Sequence, residues 1–245
     1  MTEQQPFWEK NLILKVVTGS QAYGTNNEDS DLDTRGICIP PIDHLVGLHT
    51  FEQHDYKDED PNRDEVVYGL AKFVKLALDN NPNIMEILYS HDSDVLFCNQ
   101  YGALLRSIRH RFLSQRIAKT YGGYARSRLQ KLQNPDRQAP TGKRKELYDK
   151  FGFDTKDASH LIRLVNGATV ALQTGEIQVR SGIASYLKDI RNGVYTLDEV
   201  IDRYHYEDRQ MRLALENTSL PKKPDFKAVN EWLTGIHLKF IVDEG

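Results

Sequence analysis

One stretch near the N-terminus, residues 16–39, constrains the fold and chemistry of this chain more than any other. An apolar run ends at Gly19-Ser20, passes through a polar turn containing Gly24, and returns as Ser30-Asp31-Leu32-Asp33 before a second apolar run. Short β-branched runs bounded by turn residues are typical of strands. The pattern therefore predicts two strands, from Leu12 to Thr18 and from Asp31 to Ile39.

Asp31 and Asp33 are the candidate metal ligands. Residues two apart on a strand project to the same face, so these carboxylates would stand side by side. Adjacent carboxylates repel each other unless a cation lies between them, and hard oxygen ligands suit Mg²⁺ or Mn²⁺. Gly19 and Ser20 would offer backbone N–H groups and a hydroxyl to phosphate oxygens. Together these features predict phosphoryl or nucleotidyl transfer.

Three other interpretations of this stretch were weighed. Gly19 and Gly24 have the spacing of a P-loop, but Thr25 stands where that motif requires Lys, so the P-loop fails. An EF-hand fails because Pro40 stands where a bidentate Glu is needed. A solvated acidic turn stays open, since acidic residues commonly occupy turns.

The spacing of Gly19-Ser20, Gly24 and Ser30-Asp31-x-Asp33 resembles the signature of the DNA polymerase β nucleotidyltransferase superfamily. With Arg35-Gly36 and the continuation Ile37-Cys38-Ile39-Pro40, the run is similar to the RNA-ligase-associated branch of predicted nucleotidyltransferases. Two later blocks, 81–88 and 158–164, are similar to the same branch.

The resemblance implies an α+β fold in two parts. Residues 1–98 would form a small mixed β-sheet nucleotidyltransferase core of the polymerase β type. Residues 99–245 would form a mostly helical domain that binds substrate or nucleotide. The implied cofactor is a pair of Mg²⁺ or Mn²⁺ ions, with an NTP as substrate.

The superfamily places a third metal-binding carboxylate on a strand beside the Asp-x-Asp strand. Asp64, at the start of a predicted strand that runs to Tyr68, is the candidate for this ligand and for a proton acceptor. Glu65 is the alternative, because neighbouring strand residues face opposite ways and only one can reach the ions. A solvated acid at the entry of a strand remains possible for Asp64.

The resemblance also implies nucleotide contacts. Ser30 adjoins the carboxylate pair, and His160 and Arg163 lie one helical turn apart, where they would face the phosphates of a nucleotide. A surface His–Arg pair is the competing interpretation, since i, i+3 neighbours share a helix face in either case. Glu86 has two open roles, the capping-box partner of Asn83 or an active-site group.

Charge is strongly segregated along the chain. Residues 1–94 carry 18 acidic and 7 basic side chains, whereas residues 95–145 carry 1 acidic and 12 basic ones. Eight cations, with Tyr121 and Tyr124 among them, are expected on one helical face opposite a buried stripe that includes Leu104: Arg106, Arg109, Arg111, Arg116, Lys119, Arg126, Arg128 and Lys131. Such a segment suits the backbone and bases of RNA, while a solvated helix face is the alternative.

Composition limits the remaining classes. The apolar runs are too short to cross a bilayer, and the first residues lack a basic-then-apolar leader, so we expect a cytoplasmic protein without a membrane partner. Two cysteines without a CxxC motif suggest neither a disulfide framework nor a zinc site. We expect a nucleotidyltransferase acting on an RNA end; AMPylation of a protein or small molecule, and a catalytically silent nucleotide- or RNA-binding module, stay open.

Overall fold

The computed structural model describes residues 5–27, 30–60, 63–134 and 141–244, with the side chains of Lys143 and Glu244 left aside. In chain order the strands are β1 Leu12–Thr18, β2 Asp33–Cys38, β3 Gln53–Asp55, β4 Glu65–Gly69 and β5 Val95–Cys98. The helices are α1 Phe7–Lys10, α2 Gly19–Tyr23, α3 Ile42–Leu45, α4 Leu70–Leu78, α5 Pro82–Leu88, α6 Gln100–Ser107, α7 Arg116–Gln133, α8 Lys143–Phe151, α9 Thr155–Thr174, α10 Ala184–Arg191, α11 Leu197–Asn217 and α12 Phe226–Glu244.

The chain forms two compact units. The first comprises residues 1–112 with 224–245, and the second comprises residues 113–223. The compact units therefore divide the chain after Phe112, and α12 belongs to the first unit. The functional boundary after residue 98 stays a prediction. The α+β class is confirmed, since one mixed sheet is combined with many helices.

The first unit is built on a five-stranded sheet in the order β3-β4-β2-β1-β5. Strands β2 and β4 are parallel, and the other neighbouring strands are antiparallel. β1 forms as predicted, because its β-branched and aliphatic side chains, Ile13, Leu14 and Val16, are buried. Burial also raises the pKa of the Cys38 thiol to about 12, as expected for a small core residue.

The second predicted strand is two residues shorter at its start than expected. Asp33 pairs with Thr18, the last residue of β1, and the chain then turns into α2 at Gly19. Beyond Thr18 there is no β1 residue left to pair with Asp31. Asp31 therefore precedes β2 rather than belonging to it.

Two further expectations for the first unit were wrong. Leu104, predicted on a buried stripe, is 41% exposed, because the buried face of α6 is formed by Tyr101, Gly102 and Leu105. Asn83 is not a helix cap: α5 begins at Pro82, and the side chain of Asn81 accepts the hydrogen bond from the Asn83 backbone. Pro at the first helical position favours this start.

The second unit is helical around α9. The spacing of Leu161, Leu164, Val165 and Ala168 predicts one apolar helix face within residues 157–173, and all four side chains are fully buried. Gly175 ends α9 with a positive φ of 75°, which a glycine adopts without strain. Thr196 and Glu199 predict a capping box, and this capping box opens α11. The Pro, Gly and charged residues of 134–145 predict a loop; residues 135–140 lie outside the described residues, but Lys143-Arg144-Lys145 begin α8 instead of closing the loop.

None of the helices described here is long and apolar enough to span a membrane.

Candidate active site

The candidate active site lies where β1 turns into α2 beside the start of β2. Gly19 has a positive φ of 67°, and a Cβ placed on it would lie 1.9 Å from Oδ2 of Asp33. Only a residue without a side chain allows the backbone to approach that carboxylate so closely. The sequence motif therefore brings the glycine of the turn and the second aspartate of the pair into direct contact.

The neighbouring motif residues take different positions. Asp31 is exposed and Asp33 is partly buried, so the carboxylates stand at the surface end of the sheet. Ser20 lies in the first turn of α2, and its carbonyl accepts a 2.9 Å hydrogen bond from the backbone of Thr25. Ser30 hydrogen-bonds Asn27 through both its hydroxyl and its backbone N–H. These bonds join Ser30 to Asn27 just before Asp31, which is a structural role for Ser30.

Asp64 lies next to Asp33 across the parallel strands. Thr34 pairs with Glu65, and the Thr34 backbone donates to the Asp64 carbonyl at 3.0 Å. Paired residues of parallel strands project to the same side, so Asp33 and Asp64, one position earlier on each strand, share the opposite face. The register therefore brings the third candidate carboxylate to the predicted face.

The carboxylate of Asp64 is held by two cations. Arg35 Nη2 lies 2.9 Å from Oδ1, and Lys57 Nζ contacts Oδ2. Arg35 also donates to the carbonyls of Thr34 and Asp64. Burial by itself would raise the pKa of Asp64, but the hydrogen bond from Lys57 and the charge of Arg35 leave that pKa below its usual value. Such a carboxylate is ionised and is a weak proton acceptor.

Glu65, the alternative third carboxylate, faces the other way and is also paired. Its carboxylate is 2.6 Å from Lys15 Nζ and 2.9 Å from Arg63 Nη2. Burial acts to raise the pKa of Glu65, and the hydrogen bonds from Lys15 and Arg63 overcome that effect and lower it. Glu65 is thus tied to the opposite face from Asp33.

The donor set at this site fits Mg²⁺ through two carboxylates. Among the described residues, no group of three or more His, Cys, Asp or Glu side chains is arranged to hold a metal ion. Mg²⁺ is commonly bound by one or two carboxylates together with waters and substrate phosphates, so the two predicted ligands, Asp31 and Asp33, would be enough in number. A third carboxylate from Asp64 would require its release from Arg35 and Lys57.

Glu86 holds the end of α2 in place. It is buried on α5, and its Oε2 accepts a 2.6 Å hydrogen bond from the hydroxyl of Tyr23, the last residue of α2. The capping-box role is wrong, because α5 begins at Pro82 and Glu86 is its fifth residue. The Tyr23 contact joins residues 63 positions apart. No local sequence signal predicts it.

His160 and Arg163 belong to the second unit and contact each other on α9. Arg163 Nη2 lies 3.0 Å from His160 Nδ1. A guanidinium can only donate, so Nδ1 accepts and the ring hydrogen is on Nε2. Burial, followed by the charges of Arg163 and Arg128, holds the pKa of His160 well below its usual value. The imidazole is therefore neutral at pH 7.

The basic segment is partly neutralised within each unit. Four of its cations pair with acids from other parts of the sequence: Arg106 with Asp92, Arg111 with Asp225, and both Arg128 and Lys131 with Asp157. Tyr124 is 43% exposed, whereas Tyr121 is only 2% exposed and cannot stack on a base. The expectation of an interleaved aromatic face was therefore wrong at Tyr121, because that side of α7 packs into the helical core.

The backbone turn at Gly19 touches the carboxylate of Asp33 on a small mixed sheet with helices. This arrangement agrees with the class of polymerase β-like nucleotidyltransferases that the sequence resembles. The family described as the RNA repair pathway DNA polymerase beta family matches residues 2–179, and the chain belongs to this family. The matched region extends from the N-terminus through α9.

Two individual proteins are also similar. An uncharacterised 38.9 kDa protein of Enterobacteria phage T4, from the nrdC–mobD intergenic region, is 29% identical over 130 residues. That alignment covers 49% of this chain and only 38% of the phage protein. A nucleotidyltransferase-like protein from Exiguobacterium sibiricum 255-15 is 11% identical, with a TM-score of 0.29 over 84% of this chain and 69% of that one. We draw nothing from a structural likeness at this score.

Proposed function

We propose that this protein is a divalent-metal-dependent nucleotidyltransferase that moves an NMP from an NTP to a hydroxyl at an RNA end and releases pyrophosphate. The contact between Gly19 and the Asp33 carboxylate carries the proposal, because it joins the glycine turn to one of the two carboxylates that we propose as metal ligands. Membership of an RNA repair pathway family supports RNA as the acceptor.

Each residue has a distinct role in this proposal. Asp31 and Asp33 would hold Mg²⁺ or Mn²⁺, which would supply charge neutralisation at the triphosphate and activation of the acceptor hydroxyl. Gly19 and Ser20 would bind phosphate oxygens through the first turn of α2. Glu86 would keep α2 in place through Tyr23. Asp64 remains the proposed third carboxylate, on the condition that Arg35 and Lys57 release it.

A catalytically silent nucleotide-binding module is the second candidate. The pairing of Asp64 with Arg35 and Lys57 favours it, because a carboxylate held by two cations is not available to a metal ion. The two candidates agree on phosphate binding by the α2 turn. They differ only in whether a phosphorus–oxygen bond is broken.

Pyrophosphate release separates the candidates. The wild-type protein is incubated with each NTP, Mg²⁺ or Mn²⁺, and RNA, protein or small-molecule acceptors, and is compared with Asp31→Ala/Asp33→Ala. Loss of metal-ion stabilisation worth several kcal/mol predicts a decrease of about a thousandfold in the variant. Equal release by both proteins would eliminate the enzyme and leave the binding module. Labelled product on a protein or small molecule, and none on RNA, would replace the RNA acceptor.

A further inference from the structure

The second unit contains a group of ionic side chains that the proposed chemistry does not use. We call it the Asp157 cluster; its members are Arg128 and Lys131 on α7, Arg144 on α8, and Asp154 and Asp157 at the start of α9. Asp157 has a side chain only 1% exposed. A carboxylate buried to this degree requires several charged or polar partners.

Three cations converge on this single carboxylate. Arg128 donates to Oδ1 of Asp157 at 2.7 Å, Lys131 donates to Oδ2 at 2.9 Å, and Arg144 donates to Oδ1 at 2.5 Å. Arg144 also donates to Asp154 at 2.6 Å. The buried acids thus fix three long basic side chains in position.

These cations are hydrogen-bonded to the buried acids and are still partly exposed. The side chains of Arg128, Lys131 and Arg144 are 33%, 27% and 37% exposed. Each guanidinium has five N–H donors, and the bonds to Asp157 and Asp154 use Nη1 alone. The other N–H groups of Arg128 and Arg144 are not used by these bonds, and the side chains that carry them are already held in place by the acids.

The charge of the region is positive. The members of the Asp157 cluster carry three positive and two negative charges, so its net charge is +1. After burial, the charges of Arg163, Arg128 and Arg144 all lower the pKa of the neighbouring His160, and only Asp157 raises it. Positive charge therefore outweighs negative charge around this partly buried imidazole.

We propose that the Asp157 cluster binds a phosphate group through the exposed donors of Arg128, Lys131 and Arg144, with the His160–Arg163 pair extending the same face of α9. Arginines suit this ligand because a guanidinium binds phosphate oxygens in pairs. The buried acids act as positioning groups that hold the donors apart and oriented. The proposal deepens the proposed function and rests on it for the source of the phosphate, which is either an NTP or an RNA end.

Binding of inorganic pyrophosphate in EDTA, measured by calorimetry, tests the site without the metal ions. The background is Asp31→Ala/Asp33→Ala, so that the result is independent of catalysis at the first unit. Arg128→Gln and Arg144→Gln are each expected to weaken binding about tenfold, as for the loss of a charge-assisted hydrogen bond. Lys145→Gln is the matched control: Lys145 is 62% exposed on the same helix, pairs with Asp149, and is expected to change binding less than twofold.

The source of the phosphate is identified in the same assay. ATP is compared with adenosine, and an oligoribonucleotide with a 5′-phosphate is compared with its 5′-hydroxyl counterpart. A tenfold loss in Arg144→Gln for ATP alone assigns the site to the NTP, and a loss for the phosphorylated RNA alone assigns it to the RNA end. Equal changes in Arg144→Gln and Lys145→Gln, or unchanged affinity in both, would overturn the site even if pyrophosphate release by the wild-type protein stands.

A measurement on the unaltered cluster guards against variants that fail to fold. The imidazole resonance of His160, assigned with His160→Gln, is followed as pyrophosphate is added. Binding of the anion is expected to shift this resonance and raise the pKa of His160, because negative charge favours the imidazolium. A resonance unmoved by pyrophosphate would exclude the site.

Discussion

The two charged regions of this protein hold their carboxylates by opposite means. In the first unit, Asp33 is partly buried and touches the backbone at Gly19, and its neighbour Asp31 is exposed. In the second unit, Asp157 is almost completely buried and receives hydrogen bonds from three cations. One region keeps its acids at the surface, whereas the other uses its acids to order basic side chains.

The difference indicates opposite ligands. Surface carboxylates beside a tight turn leave negative charge where a divalent cation can reach it. A buried carboxylate surrounded by cations leaves positive charge at the surface, which favours an anion. Backbone geometry at Gly19 therefore positions the acid of the first region, and ion pairing with Asp157 positions the cations of the second. Substituting Gly19 or Asp157 tests each of these statements.

Asp157→Asn is expected to have the largest effect on stability. Breaking a buried ion pair leaves uncompensated charges, and the partial exposure of the three cations points to the low end of the usual cost, about 3 kcal/mol in the free energy of unfolding. Urea denaturation followed by circular dichroism reports the helices of both units. Trp8 and Trp232 both lie in the first unit, so their fluorescence separates its unfolding from that of the second unit.

The matched control for Asp157 is Asp149→Asn. Asp149 is 58% exposed and paired with Lys145 on α8, and an exposed pair contributes about 0–1 kcal/mol. Similar losses in both variants would show that burial does not distinguish the Asp157 cluster. Pyrophosphate binding by folded Asp157→Asn is expected to weaken, because the three cations remain but lose the buried carboxylate that positions them.

Gly19→Ala tests the role of the backbone in the first region. The positive φ costs an alanine about 1–2 kcal/mol, and its Cβ would in addition displace the Asp33 carboxylate. We expect a moderate loss of stability and about a hundredfold loss of pyrophosphate release, since small misplacements of catalytic groups have effects of this size.

Gly175→Ala separates the effect of backbone strain at a positive φ from the effect of displacing the Asp33 carboxylate. Gly175 has a φ of 75°, and a Cβ on it would meet nothing within 4 Å. This variant is expected to lose a similar amount of stability while retaining pyrophosphate release. If the two variants lose activity to the same extent, the Gly19–Asp33 contact does not determine catalysis.

The sequence predicts the first region better than the second for a physical reason. Gly19, Asp31 and Asp33 lie within 15 residues, so strand and turn rules place them near one another. Asp157 contacts side chains 13 to 29 positions away on two other helices, and helix periodicity alone cannot place those partners. The long-range bond between Tyr23 and Glu86 and the cations on Asp64 were missed for the same reason.

Errors within the helical half also follow from non-local packing. The scarcity of acids in residues 95–145 favours an RNA-binding face, yet Asp92, Asp157 and Asp225 pair with its cations from elsewhere in the chain. Tyr121 was expected among the cations on that face, but it is only 2% exposed. Local patterns gave α9 and the start of α11 correctly, since apolar periodicity and a capping box are local signals.

The smallest expected effect is the pH dependence that His160 gives to the stability of the second unit. The pKa of His160 lies below the value of about 6.5 usual for an exposed His. As pH falls below 6.5, the unfolded chain takes up this proton before the folded chain does. The stabilising contribution is therefore complete above pH 6.5 and is lost towards the folded-state pKa, with a slope of at most about 1.4 kcal/mol per pH unit.

Urea denaturation between pH 5 and pH 7.5, followed by circular dichroism, measures this slope, and His160→Gln is expected to flatten it. His205→Gln is the control, because His205 is exposed on α11 and is the other histidine of the second unit. Pyrophosphate is expected to reduce the wild-type slope by drawing the pKa of His160 back towards its usual value. A slope unchanged by both His160→Gln and pyrophosphate would mean that His160 does not cause the pH dependence of stability. The surroundings of α9 would then be less positive than the ion pairs indicate, and the contrast between the two regions would be weaker.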